Sequence, residues 1–240
     1  MRVGVLFSGG KDSTYAAYLA EREHDLRCLV TLDPSRRDSY MFHYPNVGWT
    51  GLQSRALRLP QVLMPTAGEK EVELEDLSRA LKVAAEEHSI EGVVSGALAS
   101  VYQKTRVDRV CAELGLESLS PLWRIDPRVH LLNLIRDGFA TMITGVAALG
   151  LDESWLGKML DQAMVERLVD LQRRYGMHAA LEGGEGETFV LDCPLFRERI
   201  EVTSSRKHWD GMAGYLEILE AELVPKAGPR RPEAGASGPA

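Results

Sequence analysis

The chain has 240 residues, with 28 Lys and Arg against 35 Asp and Glu, a formal net charge of −7. At 45% hydrophobic and 26% charged it has the make-up of an ordinary globular protein, which excludes disordered, collagen-like and coiled-coil classes and allows one large domain or two modest ones. The acidic balance argues against a stable nucleic-acid partner, because non-specific binding of that kind runs on counterion release by Lys and Arg.

The three cysteines, Cys28, Cys111 and Cys193, are widely separated and form no CxxC pair. Neither a disulfide framework nor a cysteine zinc site is indicated, and a reducing cytoplasm is the expected compartment. The opening run MRVGVLF meets a glycine turn at once and is too short for a signal-peptide core. No window approaches the roughly 18 continuous apolar residues that read as a membrane span, so no membrane association is expected.

In chain order, residues 3–7 read as a buried strand, 12–23 as a helix and 26–32 as a second strand that Pro34 should stop, which together make a βαβ unit. Residues 35–59 scatter Tyr40, Phe42, Tyr44 and Trp49 among turn residues and read as a structured loop leading into a helix over 50–59. A third strand over 61–64, a helix over 71–88, a strand at 93–94 and a helix over 98–114 closed by Gly115 follow. Short apolar strands alternating with helices predict a doubly wound parallel sheet with helices on both faces.

Pro121 and Pro127 mark a boundary, giving expected domains over 1–120 and 121–225. The second should be a smaller α+β unit: a helix over 128–137, a strand over 139–144 and an amphipathic helix over 155–175 that turns Leu156, Leu160, Ala163, Leu168, Leu171 and Tyr175 inward. A Gly/Glu loop over 181–187 and strands over 188–191, 199–203 and 215–223 complete it. Residues 226–240 are too poor in large apolar groups to pack and read as a disordered tail.

The chemistry is concentrated in Ser8, Gly9, Gly10, Lys11, Asp12 and Ser13, between the first strand and the first helix. Two glycines let the backbone turn tightly, the helix aims unpaired N–H groups and its positive dipole end at the same spot, and two hydroxyls and an ammonium surround it. All of these suit a polyphosphate. The motif is not a Walker P-loop, since Val5 stands where its first glycine belongs and Asp12 where its hydroxyl belongs, and no GxGxxG opens the helix. An aspartate beside phosphates calls for an intervening cation, so Asp12 is a candidate magnesium ligand.

The S-G-G-x-D-S pattern after a first buried strand resembles the signature of the pyrophosphate-loop, adenine-nucleotide hydrolase-like ATPases. Further segments narrow the likeness: Ser39-Tyr40-Met41-Phe42-His43, Gly96 through Val107, Pro121-Leu122-Trp123 and, most specifically, Glu182-Gly183-Gly184-Glu185-Gly186-Glu187-Thr188. With these the chain resembles the diphthine-ammonia ligase family, which carries out the last amidation in diphthamide synthesis on elongation factor 2. The sequence departs from the usual pattern at Leu181, where a glycine is common, and at Gly186, where an aromatic is common.

The resemblance implies an ATP-dependent ligase. It would adenylate the diphthine carboxylate, release pyrophosphate, admit ammonium as the nitrogen donor and release AMP, with ATP and Mg2+ required and elongation factor 2 bearing diphthine as the partner. Lys11, Asp12, Glu182, Glu185 and Glu187 are the implied catalytic residues. Tyr40, Phe42, His43, Tyr102, Gln103, Arg106, Gly183, Gly184 and Thr188 are the implied substrate contacts. The residues alone leave open which glutamate holds the trimethylammonium, captures ammonium or removes its proton, and whether aromatics, Trp123 included, share the first task by cation–π contact. Read without the resemblance, a Gly/Glu run is a solvated turn. Two other readings remain: a tRNA-modifying pyrophosphate-loop enzyme using a patch of Arg124, Arg128 and Arg136, and a non-enzymatic ATP-binding module.

Overall fold

The computed structural model describes residues 1–34, 46–66 and 72–226. Strand β1 (Arg2–Leu6) leads through the glycine turn into helix α1 (Lys11–Ala20) and strand β2 (Asp25–Pro34). A 3-10 turn (Val47–Trp49) precedes α2 (Thr50–Leu57), β3 (Gln61–Thr66), α3 (Val72–His88), β4 (Gly92–Val94), α4 (Val101–Leu114) and β5 (Glu117–Leu119). The five strands form one parallel sheet in the order β3-β2-β1-β4-β5. The strand order reverses beside β1, and the crevice at such a switch point is where open α/β sheets bind ligands.

Side chains alternate across this sheet. Val3 and Val5 of β1, Leu29 of β2 and Val94 of β4 face one apolar cluster. Cys28, Val30 and Val93 face another beneath α3 and α4, with Leu81, Ala84, Val110 and Cys111. Both faces are therefore covered, as the alternation of strands and helices predicts.

The rest of the chain contributes α5 (Pro127–Arg136), β6 (Ala140–Val146), α6 (Gln162–Tyr175), β7 (Gly186–Asp192), β8 (Glu198–Trp209) and β9 (Gly214–Pro225). The strands form an antiparallel sheet in the order β7-β6-β9-β8. Its core merges with one face of the parallel sheet: Tyr15, Ala16 and Leu98 share a cluster with Leu131, Ile143, Leu168, Phe189 and Ile218.

Several boundaries differ from the expectations. Pro34 does not stop β2, because the pairing with β1 ends at Val30 and the far end of β2 is paired on one side only, with β3 out to Pro34 and Thr66; a proline is tolerated where one side needs no N–H. Helix α6 starts at Gln162, not 155, because Gly157 takes φ +81 and residues 157–160 pair with β6 before Asp161 caps the helix by accepting from Met164 N at 2.8 Å. Leu156 and Leu160 are buried outside the helix, while Ala163 and Tyr175 are exposed. Lys226, counted with the tail, is anchored by its ammonium to the Cys193 carbonyl at 2.7 Å; residues 227–240 lie outside the described residues. No described helix is long and apolar enough to cross a membrane.

Candidate active site

The loop between β1 and α1 is held from three directions. Gly9 takes φ +80, the left-handed region open to glycine, and its carbonyl accepts from Val190 N of β7 at 3.0 Å and from Gln53 Nε2 of α2 at 2.8 Å. Lys11 N donates to Thr188 Oγ1 at 3.1 Å. Behind the loop, a Cβ on Gly96 would stand 2.7 Å from Asp12 C and Ser13 N, so the turn after β4 touches the first turn of α1 backbone to backbone. Ser8 and Ser13 share a hydroxyl–hydroxyl hydrogen bond at 3.2 Å. A small cavity opens here between Ser8, Asn46, Thr144, Glu187 and Thr188.

Lys11 is almost wholly buried, at 3% exposure, and its Nζ lies 2.9 Å from Asp12 Oδ2. The other oxygen, Oδ1, is 2.7 Å from His130 Nε2. Burial works to raise the Asp12 carboxyl, but the Lys11 charge and the hydrogen bonds from His130 and Lys11 outweigh it and hold the group below the usual carboxylate range. Asp12 is thus an anion at neutral pH, flanked by a cation and a donor. His130 is the residue that sequence reasoning missed. It sits on the buried face of α5 with Leu131 and Leu134, a local sign of burial, but its partner is 118 residues away.

Of the three implied catalytic glutamates, Glu187 feels the charges of both Lys11 and Asp12. Burial raises its pKa to about 7, Lys11 lowering it and Asp12 raising it. The Glu182 carboxylate instead accepts from Leu98 N, Ala99 N and Ser100 N, at 3.0, 2.7 and 3.4 Å, just before α4. Glu185 folds back into its own turn and accepts from His178 N at 3.0 Å. Those two carboxylates take backbone partners; the third lines a cavity with Ser8 of the glycine turn. The ionised Asp12 carboxylate at the start of α1 fits a magnesium ion as it is usually held, by one or two carboxylates with phosphate oxygens and water.

The model for the diphthamide synthase N-terminal domain matches residues 1–118, and that for the diphthamide synthase C-terminal domain matches residues 126–224. The chain belongs to the diphthamide synthase family. It is 38% identical over 254 residues to a diphthine–ammonia ligase of Homo sapiens, covering 94% of each chain. To that of Mus musculus it is 39% identical, over 85% of this chain and 84% of the relative. To that of Saccharomyces cerevisiae it is 32% identical, over 96% of this chain and 38% of the relative. Among solved structures, a predicted subunit of tRNA methyltransferase from Methanocaldococcus jannaschii aligns with a TM-score of 0.41 and 16% identity, over 81% of this chain and 98% of that one.

The two departures from the family's usual pattern touch each other. Leu181 takes φ +59, where a glycine enters freely, and its Cδ1 and Cδ2 lie 3.2 and 3.4 Å from where a Cβ on Gly186 would stand. The leucine side chain fills the space beside the glycine. Gly183 and Gly184 take φ +95 and +94 and carry the exposed tip of the loop.

Among the other implied contacts of this family, Tyr102 is 52% exposed and lies under the Arg106 guanidinium, 3.6 Å from the ring centroid. Gln103 N donates to the Ser100 cap. Trp123 is flanked by the Lys104 ammonium and the Arg124 guanidinium, at 5.7 and 5.9 Å from its ring centroid. Cations of the chain itself thus lie against both rings. Tyr40, Phe42 and His43 lie outside the described residues. Cys28, Cys111 and Cys193 are buried and free, and burial pushes the Cys193 thiol up to about 12, which leaves it unreactive.

Proposed function

We propose that this chain is an ATP-dependent amide ligase that converts diphthine on elongation factor 2 to diphthamide with ammonium. The observation that carries the reading is the joining of two loops: Lys11 N donates to Thr188 Oγ1, which sets Glu187 beside the Lys11–Asp12 pair. Membership of the diphthamide synthase family and the names of the curated relatives support it.

In this reading residues 1–120 bind ATP and residues 121–225 receive the diphthine side chain. The Lys11 ammonium and the N–H groups at the start of α1 hold the phosphates. Magnesium, when bound, neutralises phosphate charge, with Asp12 as its protein ligand. A diphthine carboxylate oxygen attacks the α-phosphorus; the new O–P bond forms as the bond to pyrophosphate breaks. Ammonium must lose a proton before its nitrogen can attack, and Glu187, with a pKa of about 7, is a base poised for the task at neutral pH. The C–N bond then forms as AMP leaves, and solvent takes the second proton. The three buried, free cysteines suit a reducing cytoplasm.

Incubation with ATP, Mg2+, ammonium and diphthine-bearing elongation factor 2 should give AMP, pyrophosphate and diphthamide in equal amounts. A folded sample that yields none of the three overturns the reading. A tRNA acceptor has less support, because two of the three arginines of its patch are already paired, Arg128 with Glu166 and Arg136 with Asp137.

A further inference from the structure

His130 is 0% exposed, and its Nε2 lies 2.7 Å from Asp12 Oδ1. Asp12 can only accept, so the imidazole carries its proton on Nε2 and donates. Its Nδ1 is also buried and has no partner among the described residues, so Asp12 is the polar contact that fixes the ring. The ring has little room to turn: the Tyr15 ring packs 5.4 Å away, centroid to centroid, and Tyr15 is itself tied to Asp137 by a 2.7 Å hydrogen bond. Helix α5 is fixed at its start by Asp126, which accepts from Val129 N at 2.9 Å.

Two donors therefore compete for one carboxylate. Lys11 takes Oδ2 and His130 takes Oδ1. Without the histidine, both oxygens would be free to close on the Lys11 ammonium as a bidentate pair, and the cation meant for phosphate would be neutralised by its neighbour. We propose that His130 is a positioning residue that fixes the Asp12 carboxylate in one orientation and so keeps both Asp12 and Lys11 available to Mg·ATP. The proposal rests on the nucleotide-binding part of the reading above and goes beyond it by adding a residue from the other half of the chain.

The test is Mg·ATP binding by calorimetry on the full chain, with AMP formation measured in parallel. His130→Leu keeps the bulk and removes the donor. His130→Asn places its amide near the Nδ1 position, and His130→Gln reaches the Nε2 position. Leu and Asn should raise the Kd for Mg·ATP by about 10- to 100-fold, the usual cost of losing a partner that orients a ligand-bearing side chain. They should raise KM for ATP with it while changing kcat at saturation less, and Gln should restore most of the binding.

Wild-type affinity in folded His130→Leu and His130→Asn overturns the proposal, as does a His130→Gln protein no better than His130→Leu. Should the leucine protein not fold, the comparison of Asn with Gln decides alone. In the Asp12→Asn background, His130→Leu should cost little further affinity; full additivity of the two losses rejects the coupling. A wild-type protein that binds Mg·ATP with this His130 dependence yet amidates no diphthine would sink the substrate reading and leave the positioning role standing.

Discussion

At Gly96 a methyl group would meet backbone atoms, not the end of a flexible side chain: Asp12 C and Ser13 N lie 2.7 Å from its Cβ position. Gly96→Ala should therefore push on the first turn of α1, costing about 1–3 kcal/mol and lowering Tm by roughly 3–10 °C, with weaker ATP binding in calorimetry if the proposed site is right. Glu187 yields a prediction in pH. Its folded pKa of about 7 stands above the ordinary glutamate value, so between about pH 4.3 and 7 the native state holds a proton that the unfolded chain releases. The associated stability is whole below that window and is lost as pH rises through 7. Glu187→Gln should melt with the wild type at pH 4 and on the order of 5 °C above it at pH 8, and at pH 8 it should lose amidation.

At the scale of elements, the first turn of α4 and the acidic loop are one assembly. The carboxylate of Glu182 is shared among three N–H groups just before α4, and extended Ser100, accepting from Gln103 N, caps the helix so that it starts at Val101 and not at Leu98. Glu182→Ala should cost about 2 kcal/mol and speed amide exchange at residues 98–100 in a hydrogen-exchange experiment; unchanged exchange there would show that the contact bears no load. The strand–glycine turn–helix start of the chain was legible because its signals are local: a buried β-branched run, two glycines, then helical spacing. Strand β5 was not, since Glu117, Ser118 and Leu119 are three residues with one apolar side chain. Nor was the end of β8, where an outer strand with exposed Ser205, Arg206 and Lys207 in a row loses its alternation. The acidic loop was visible as a motif, but the division of labour among its glutamates was not, because it depends on N–H groups more than eighty residues away, at separations of 82–84. For His130 the helix face was readable and the partner was not.

For the whole molecule, the two sheets share one core and one site. Tyr15, Leu98, Leu131, Ile143 and Phe189 pack in a single cluster, and from β7 Gly9 takes the Val190 N–H and Lys11 N the Thr188 hydroxyl. Residues 1–120 alone would lack Thr188, Val190 and His130. That fragment should bind ATP at least about 10-fold more weakly than the full chain, and the full chain should unfold in one transition, with circular dichroism and tryptophan fluorescence melting together. Fragment binding equal to that of the full chain would count against the joint construction of the site.

The clasp between Lys11 and Thr188 closes over 177 residues of sequence. A ribosome adding about 5–20 residues per second needs on the order of 10–35 s to pass from one to the other. Throughout that interval the glycine turn exists without its strap, so a nascent chain has the residues of the proposed nucleotide site but not its geometry. Competence arrives late and all at once, when β7 emerges and docks.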